Sequence, residues 1–265
     1  MNRRDFIKSS LAATTLTGLS STASTALAAD TPARQEYYER RVYQLKSPAQ
    51  KALVDEYLKN AFIPALNRLG CKPVGAFTVM DATDIAELHV LIPYPSLFTL
   101  GRMESALARD EAYQKAGEAY LQAPKSNPAY TRMESTLMRA FSGMPKIELQ
   151  PFSLEKKSRM FELRIYEAHS EFKCQKKVQM FNEGEMQVMR DTGLGPVFFG
   201  HTVIGVKSPN MTYMLSAENR AEHDKHWKAF GGHPEWKRMQ ALPEYADTVS
   251  HITNIFLVPT EYSQV

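Results

Sequence analysis

An internal duplication sets the limits on what this chain of 265 residues can be. The segment Tyr38-Glu39-Arg40-Arg41-Val42-Tyr43 lies over Phe161-Glu162-Leu163-Arg164-Ile165-Tyr166 at a shift of 161 − 38 = 123 positions. The same shift carries Gly70 onto Gly193, Pro73 onto Pro196, Val74 onto Val197 and, far along the chain, Tyr113 onto Trp236. Beyond Leu121 the register slips, and residues 122–130, with two prolines, read as a short loop inserted in the first copy. Each copy is long enough to be a small domain in its own right.

Each copy reads as strand, helix, strand, strand, helix, strand. The first strand alternates, with Phe161, Leu163 and Ile165 on one face and Glu162, Arg164 and Tyr166 on the other. In the helix that follows, Leu53, Val54, Tyr57, Leu58, Ala61, Leu66 and Leu69 recur at helical spacing, with Pro64 marking a kink. Gly70 and Gly193 stand where a helix C-terminus takes a left-handed residue. Residues 74–80 and 88–92, and again 197–206 and 212–215, read as the middle strands. The second helices fall over 97–121 and 220–242, and 249–258 is a closing strand. This is the βαββαβ, ferredoxin-like order, whose antiparallel sheet carries helices on one face only. Two such sheets can bury their bare faces against each other and close into a barrel. The expected fold is therefore α+β, with tandem repeats over 37–150 and 159–260, linkers at 29–36 and 151–158, and one intramolecular barrel.

The chain opens with a targeting segment. Asn2-Arg3-Arg4-Asp5-Phe6-Ile7-Lys8 has the order of a twin-arginine export signal, a short apolar run follows, and Ala26-Leu27-Ala28 offers a cleavage site. The reading is a leader over 1–28 and a mature periplasmic protein. Nothing in the chain reaches the 18 or so uncharged apolar residues of a membrane span. Of the formal net charge of +3, the leader holds +2, which leaves about +1 on the rest. No basic stripe is interleaved with aromatics, so nucleic acid is excluded as a partner. Cys71 and Cys174 form no motif and read as two independent buried thiols.

The opening strand F/Y-E-x-R-x-Y, the glycine before the second strand, and the stretch His226-Trp227-Lys228-Ala229-Phe230…His233-Pro234-Glu235-Trp236 resemble NIPSNAP domains. The resemblance implies the dimeric α+β barrel superfamily. It covers about 160–258 in the second copy and about 37–121 in the first. The first copy departs from it, with Tyr113 in place of Trp236 and Glu104 in place of Trp227. A pocket that depends on those tryptophans would exist in the second copy alone. The usual dimer of the superfamily could be satisfied within one chain, and two chains could still pair through sheet edges or faces.

Candidate chemistry starts on the polar face of the first strands. Because the opposite face is apolar, the expectation is that Glu39, Arg41 and Tyr43, with Glu162, Arg164 and Tyr166, point into the barrel lumen. There, with Trp227 and Trp236, they would bind a small anionic or enolic molecule, arginine holding a carboxylate and tyrosine donating to an oxyanion. The competing reading is a structural Glu–Arg ion pair that fixes strand register. His201 and His251, in strands, could join Arg164 and Tyr166 in catalysis. His223 and His226, spaced i, i+3, could share a metal, but no third ligand stands at a recognised spacing, and the reading for His223 is a solvated face. Distant members of the superfamily bind haem, so the resemblance also offers His226 or His233 as an axial ligand, although no haem motif is present. No nucleophile elbow, phosphate cradle or dinucleotide fingerprint occurs. Three functions remain: a small-molecule binder using the lumen without a cofactor, a cofactor-independent monooxygenase or isomerase acting on an aromatic or enolisable compound, and a protein-interaction module with an apolar patch near 122–130.

Overall fold

The structure, a computed structural model, describes residues 34–82 and 87–265; the leader expected at 1–28 lies outside them. The first copy consists of strand β1 (Tyr37–Gln44), helix α1 (Pro48–Tyr57), a π-helical turn (Leu58–Phe62), α2 (Ile63–Arg68), β2 (Gly75–Val79), β3 (Glu87–Tyr94), α3 (Leu97–Ala108), α4 (Glu111–Leu121) and β4 (Arg132–Ala140). A short helix α5 (Pro151–Leu154) leads to the second copy. This consists of β5 (Met160–Glu167), α6 (Glu171–Met180), a π-helical turn (Phe181–Glu185), α7 (Met186–Asp191), β6 (Gly195–Ile204), β7 (Asn210–Ala217), α8 (Arg220–Gly232), α9 (Pro234–Gln240) and β8 (His251–Pro259).

The duplication extends to the local signals that start and stop the helices. Ser47 and Ser170 cap α1 and α6, and Ser96 and Asn219 cap α3 and α8. Asp110 and His233 cap α4 and α9, each pair being 123 positions apart. Gly70 and Gly193 adopt φ of +81° and +82° after the first helices, as the left-handed helix stop requires. The second helices differ from the expected continuous spans, because Asp110 in one copy and His233-Pro234 in the other start a new helix instead of continuing the old one. The kink expected at Pro64 falls instead at the π-helical turn before it, and Pro64 sits in the first turn of α2 where its missing N–H is harmless. The last strands, β4 and β8, are related by 251 − 132 = 119 positions, so the loop between α4 and β4 makes the first copy four residues longer.

All eight strands close into one barrel in the order β1-β3-β2-β8-β5-β7-β6-β4. Each copy contributes an antiparallel sheet, β4-β1-β3-β2 and β8-β5-β7-β6, and the two meet at short seams where β2 pairs with β8 and β4 with β6. Closure leaves no strand edge, which removes edge pairing from the routes by which two chains could associate.

The direction of the first strands is the reverse of the expectation. Tyr38, Phe161 and Leu163 point into the lumen, where they join Phe77, Leu91, Met138, Val197, Phe198, Met214 and Leu257 from both copies in one apolar cluster. Tyr43 packs among α1, α2 and α4, and Tyr166 among α6 and α8. Glu39, Arg41, Tyr43, Glu162, Arg164 and Tyr166 therefore lie between sheet and helices. An eight-stranded barrel is only wide enough for side chains to fill, so most of its interior takes apolar side chains, with charged groups such as Arg40 and Glu87 confined to one end, and the Glu–Arg–Tyr faces turn to the helices.

Candidate functional site

The helix-facing side of the second copy holds a cluster of charged and hydroxyl groups that the first copy lacks. Glu162 is its centre, with its side chain 2% exposed. Its Oε1 accepts from Arg164 Nη1 at 2.6 Å, and its Oε2 accepts from His223 Nε2 at 2.9 Å and from the Trp227 indole N–H at 2.8 Å. Burial alone would raise its pKa, but the bonds from His223, Arg164 and Trp227 hold the carboxyl below its ordinary range. Burial works the other way on His223, and the bonds to Glu162 and exposed Asp224 outweigh it, so that imidazole is held above its ordinary value.

Arg164 lies over the Trp227 ring at 4.6 Å and donates from Nε to the Tyr166 hydroxyl at 3.2 Å. Tyr213, fully buried, also donates to the Tyr166 oxygen, at 2.9 Å. The Tyr166 oxygen thus accepts twice, and its own proton has no acceptor among the described residues. That proton is free to be donated to an oxyanion, and burial outweighs the bonds from Arg164 and Tyr213 in holding the phenol above its ordinary pKa. Beneath it, Lys177 Nζ donates to Glu185 Oε2 at 2.7 Å and sits 5.3 Å from the Trp236 ring centroid. Both side chains are buried, and desolvation keeps the Glu185 carboxyl above its ordinary range in spite of the lysine.

Position by position, the first copy puts Val54 where the second has Lys177, Phe62 for Glu185, Val90 for Tyr213, Leu100 for His223 and Glu104 for Trp227. What remains polar there is closed on itself. Glu39 takes two bonds from Arg41 at 2.7 and 3.0 Å, one from Tyr94 at 2.7 Å and one from Ser135 at 2.7 Å. Rings fill the rest: Tyr57 stacks on Tyr120 at 3.7 Å, and the inserted loop delivers Tyr130 edge-on to Tyr43 at 5.5 Å. The ion-pair reading describes the first copy, and the second copy builds on the same pair a cluster with unused donors.

The other histidines take separate places. His251 is exposed at the start of β8, and His201 alternates with Phe199 on the helix-facing side, beside Arg139. Neither bonds to Glu162, Arg164 or Tyr166. His223, read from the sequence as solvated, is 4% exposed and belongs to the cluster, because α8 turns it inward beside Trp227. Both its ring nitrogens face carboxylates, which leaves none for a metal shared with His226. Haem does not fit: His233 Nδ1 caps α9, the His226 ring packs on Gly193, and Phe181, Phe199, Phe230 and Tyr213 fill the sheet face between them. Lys177, Glu185 and Tyr213 escaped the sequence reading, and the signal that reveals them is the column-by-column contrast between copies.

The NIPSNAP family profile matches residues 38–145 and 161–264. Comparison with curated proteins returns no match. Among solved structures, a candidate monooxygenase from Lactobacillus acidophilus NCFM is 10% identical, with 85% of this chain and 94% of that chain covered at a TM-score of 0.58. A candidate monooxygenase from Fusobacterium nucleatum is 9% identical, with 86% and 93% covered at a TM-score of 0.53. Both place the chain in the dimeric α+β barrel fold.

Proposed function

We propose that this chain, which belongs to the NIPSNAP family, binds a small organic anion between the sheet and helices of its second copy. The observation that carries the reading is the contrast between copies. The same backbone folds in the first copy with Val54, Phe62, Val90 and Leu100 at the positions of Lys177, Glu185, Tyr213 and His223, so the fold does not need those polar groups. Burying them is costly, and a ligand gives them a use. Arg164, 14% exposed along its side chain, supplies the cation, and Tyr166 supplies the hydroxyl donor. Trp227 and Trp236 form aromatic walls.

A second reading, proton transfer on an enolisable or aromatic compound of the isomerase or cofactor-independent monooxygenase kind, is favoured by one feature. The Tyr166 donor and the His223–Glu162 pair, joined through Arg164, place an oxyanion donor and a proton-holding group in one cluster. The two monooxygenase candidates that share the fold are consistent with it. The binder and the enzyme use the same residues and differ in whether a bound compound is changed.

The twin-arginine-like order of residues 2–8 and the small-residue pattern Ala26-Leu27-Ala28 support a mature protein in the periplasm, to which the folded chain would be carried with its ligand already bound. The test is native mass spectrometry of the exported chain beside its Arg164→Gln variant. A co-purifying organic mass that the variant loses supports the reading. The same mass on both proteins would move the site elsewhere.

A further inference from the structure

At the end of the barrel where β1 and β5 finish, the lumen opens as a cavity of about 140 Å³. Matching positions of the two copies line it: Val42 with Ile165, Glu87 with Asn210 and His89 with Thr212 at 123 positions, and Glu134 with Thr253 at 253 − 134 = 119. The chemistry is not matched. Arg40, Glu87, His89 and Glu134 come from the first copy, whereas the second contributes neutral groups and has Leu163 at the position of Arg40. Lys207, in the turn between β6 and β7, is the one charged exception. Both copies thus keep a Glu–Arg pair under the helices, and the strands of the first copy alone add charged groups inside the barrel mouth.

Two observations point to a ligand. His89 is 2% exposed, and its Nε2 faces Glu87 Oε2 at 3.1 Å. A carboxylate only accepts, so the imidazole proton sits on Nε2 and leaves Nδ1 as an acceptor. That Nδ1 is buried without a hydrogen-bond partner among the described residues. Arg40 lines both this cavity and the apolar pocket below it, which Phe77, Leu163, Phe198 and Met214 enclose. Its guanidinium feels Glu87 and Glu134 only through space and bonds to neither. A half-buried guanidinium without a hydrogen-bond partner and a buried bare imidazole nitrogen on one wall are expensive unless something pairs with both.

We propose that this mouth is a second binding site, separate from the cleft, for a small zwitterion of the α-amino-acid class. Its carboxylate would lie on Arg40, and its ammonium would donate to His89 Nδ1 and Glu134. The placement of the charges selects the class: the unpaired Arg40 guanidinium faces a carboxylate, His89 Nδ1 and Glu134 offer acceptors to an ammonium, and Lys207 is already paired with Glu167 at 3.4 Å. Volume selects the size. The cavity is close to the ~150 Å³ that holds benzene in an engineered protein core, so the ligand has roughly six non-hydrogen atoms.

Isothermal titration of the full chain carrying Arg164→Gln, which disables the helix-side anion site, with L-alanine, lactate and ethylammonium tests the proposal. Alanine is expected to bind, and lactate and ethylammonium, each lacking one charge, to bind at least about tenfold more weakly. Arg40→Leu, which installs the second copy's residue, is expected to abolish alanine binding while its thermal unfolding stays cooperative. Glu134→Gln, at an exposed position, is expected to weaken binding without affecting folding. Arg164→Gln is expected to bind alanine as the unaltered chain does, which separates this site from the cleft. No heat with alanine at about 10 mM, equal affinity for lactate, or unchanged affinity in Glu134→Gln would each overturn the proposal.

Discussion

The claim that the fold does not need the second copy's polar groups is tested most severely at Lys177 and Glu185. Their side chains are 7% and 2% exposed and 2.7 Å apart, with Met180, Phe181 and Trp236 around them. Removing one partner from a buried pair strands a charge, typically at about 3–5 kcal/mol. Lys177→Met should fall near the lower end, about 3 kcal/mol, because Glu185, already pushed upward by burial, can escape by taking a proton. Glu185→Leu should lose about as much. If the losses added, the double variant would stand about 6 kcal/mol below the parent. Here it is expected within about 1 kcal/mol of it, since the first copy folds with Val54 and Phe62 at these two positions. The assay is equilibrium urea unfolding of all four proteins at pH 7. A pH series adds a check of sign. A carboxyl whose folded pKa lies above its unfolded value near 4.5 loses stability as pH rises from that value through the folded one. The Lys177→Met deficit should therefore be smaller at pH 5 than at pH 8. Additive losses, or singles costing under about 0.5 kcal/mol, would refute the reasoning.

Three further outcomes follow from the same geometry. His223 has a raised folded pKa, so its contribution is complete below about 6.5 and is lost as pH climbs through the folded value; the gap in unfolding midpoint between the parent and His223→Leu should narrow from pH 6.5 to 9. Gly70→Ala places a side chain at φ +81° in open space and should cost about 1–2 kcal/mol in urea unfolding. Gly193→Ala should cost more, because its Cβ would stand 2.9 Å from His226 Nε2, and equal costs would contradict that packing. Trp227→Phe removes a donor from Glu162 and should lower the stability of the second copy's cluster by about 1–3 kcal/mol, read as the same urea midpoint shift.

Much of this architecture could be read from the chain because its signals are local and doubled. The βαββαβ order, the glycine stops at Gly70 and Gly193 and the inserted loop all follow from residues within a few positions of each other. The polar alternation of Glu162, Arg164 and Tyr166 was also plain. Which side of the sheet it faces was not, because alternation defines two faces and says nothing of which one a barrel encloses. That choice is made by lumen volume, a property of eight strands together. The apolar set Phe161, Leu163 and Ile165 fits the narrow interior, although its alternation alone suits a helix-facing layer equally well. His223 was missed for a related reason. A histidine beside Glu222 and Asp224 on a charged helix looks solvated until the roll of α8 is known, and that roll is set by Trp227 and Phe230 packing on the sheet. Near 122–130, where an apolar patch is expected, Leu121 is exposed while Tyr130 turns inward to cover Tyr43; larger exposed apolar side chains stand at Phe98, Phe172 and Ile204.

Both tryptophans of the chain, Trp227 and Trp236, pack at the second copy's polar cluster, so tryptophan emission excited above the tyrosine band reports on that region. Titration of the full chain with acetoacetate, a small enolisable carboxylate, should give a saturable change in emission at up to millimolar concentration. Arg164→Gln should weaken it at least about tenfold, and Arg41→Gln, at the matching position of the first copy, should leave it unchanged. A flat titration, or an equal response in the Arg164→Gln variant, would contradict the assignment of the second copy's polar cluster as the binding site.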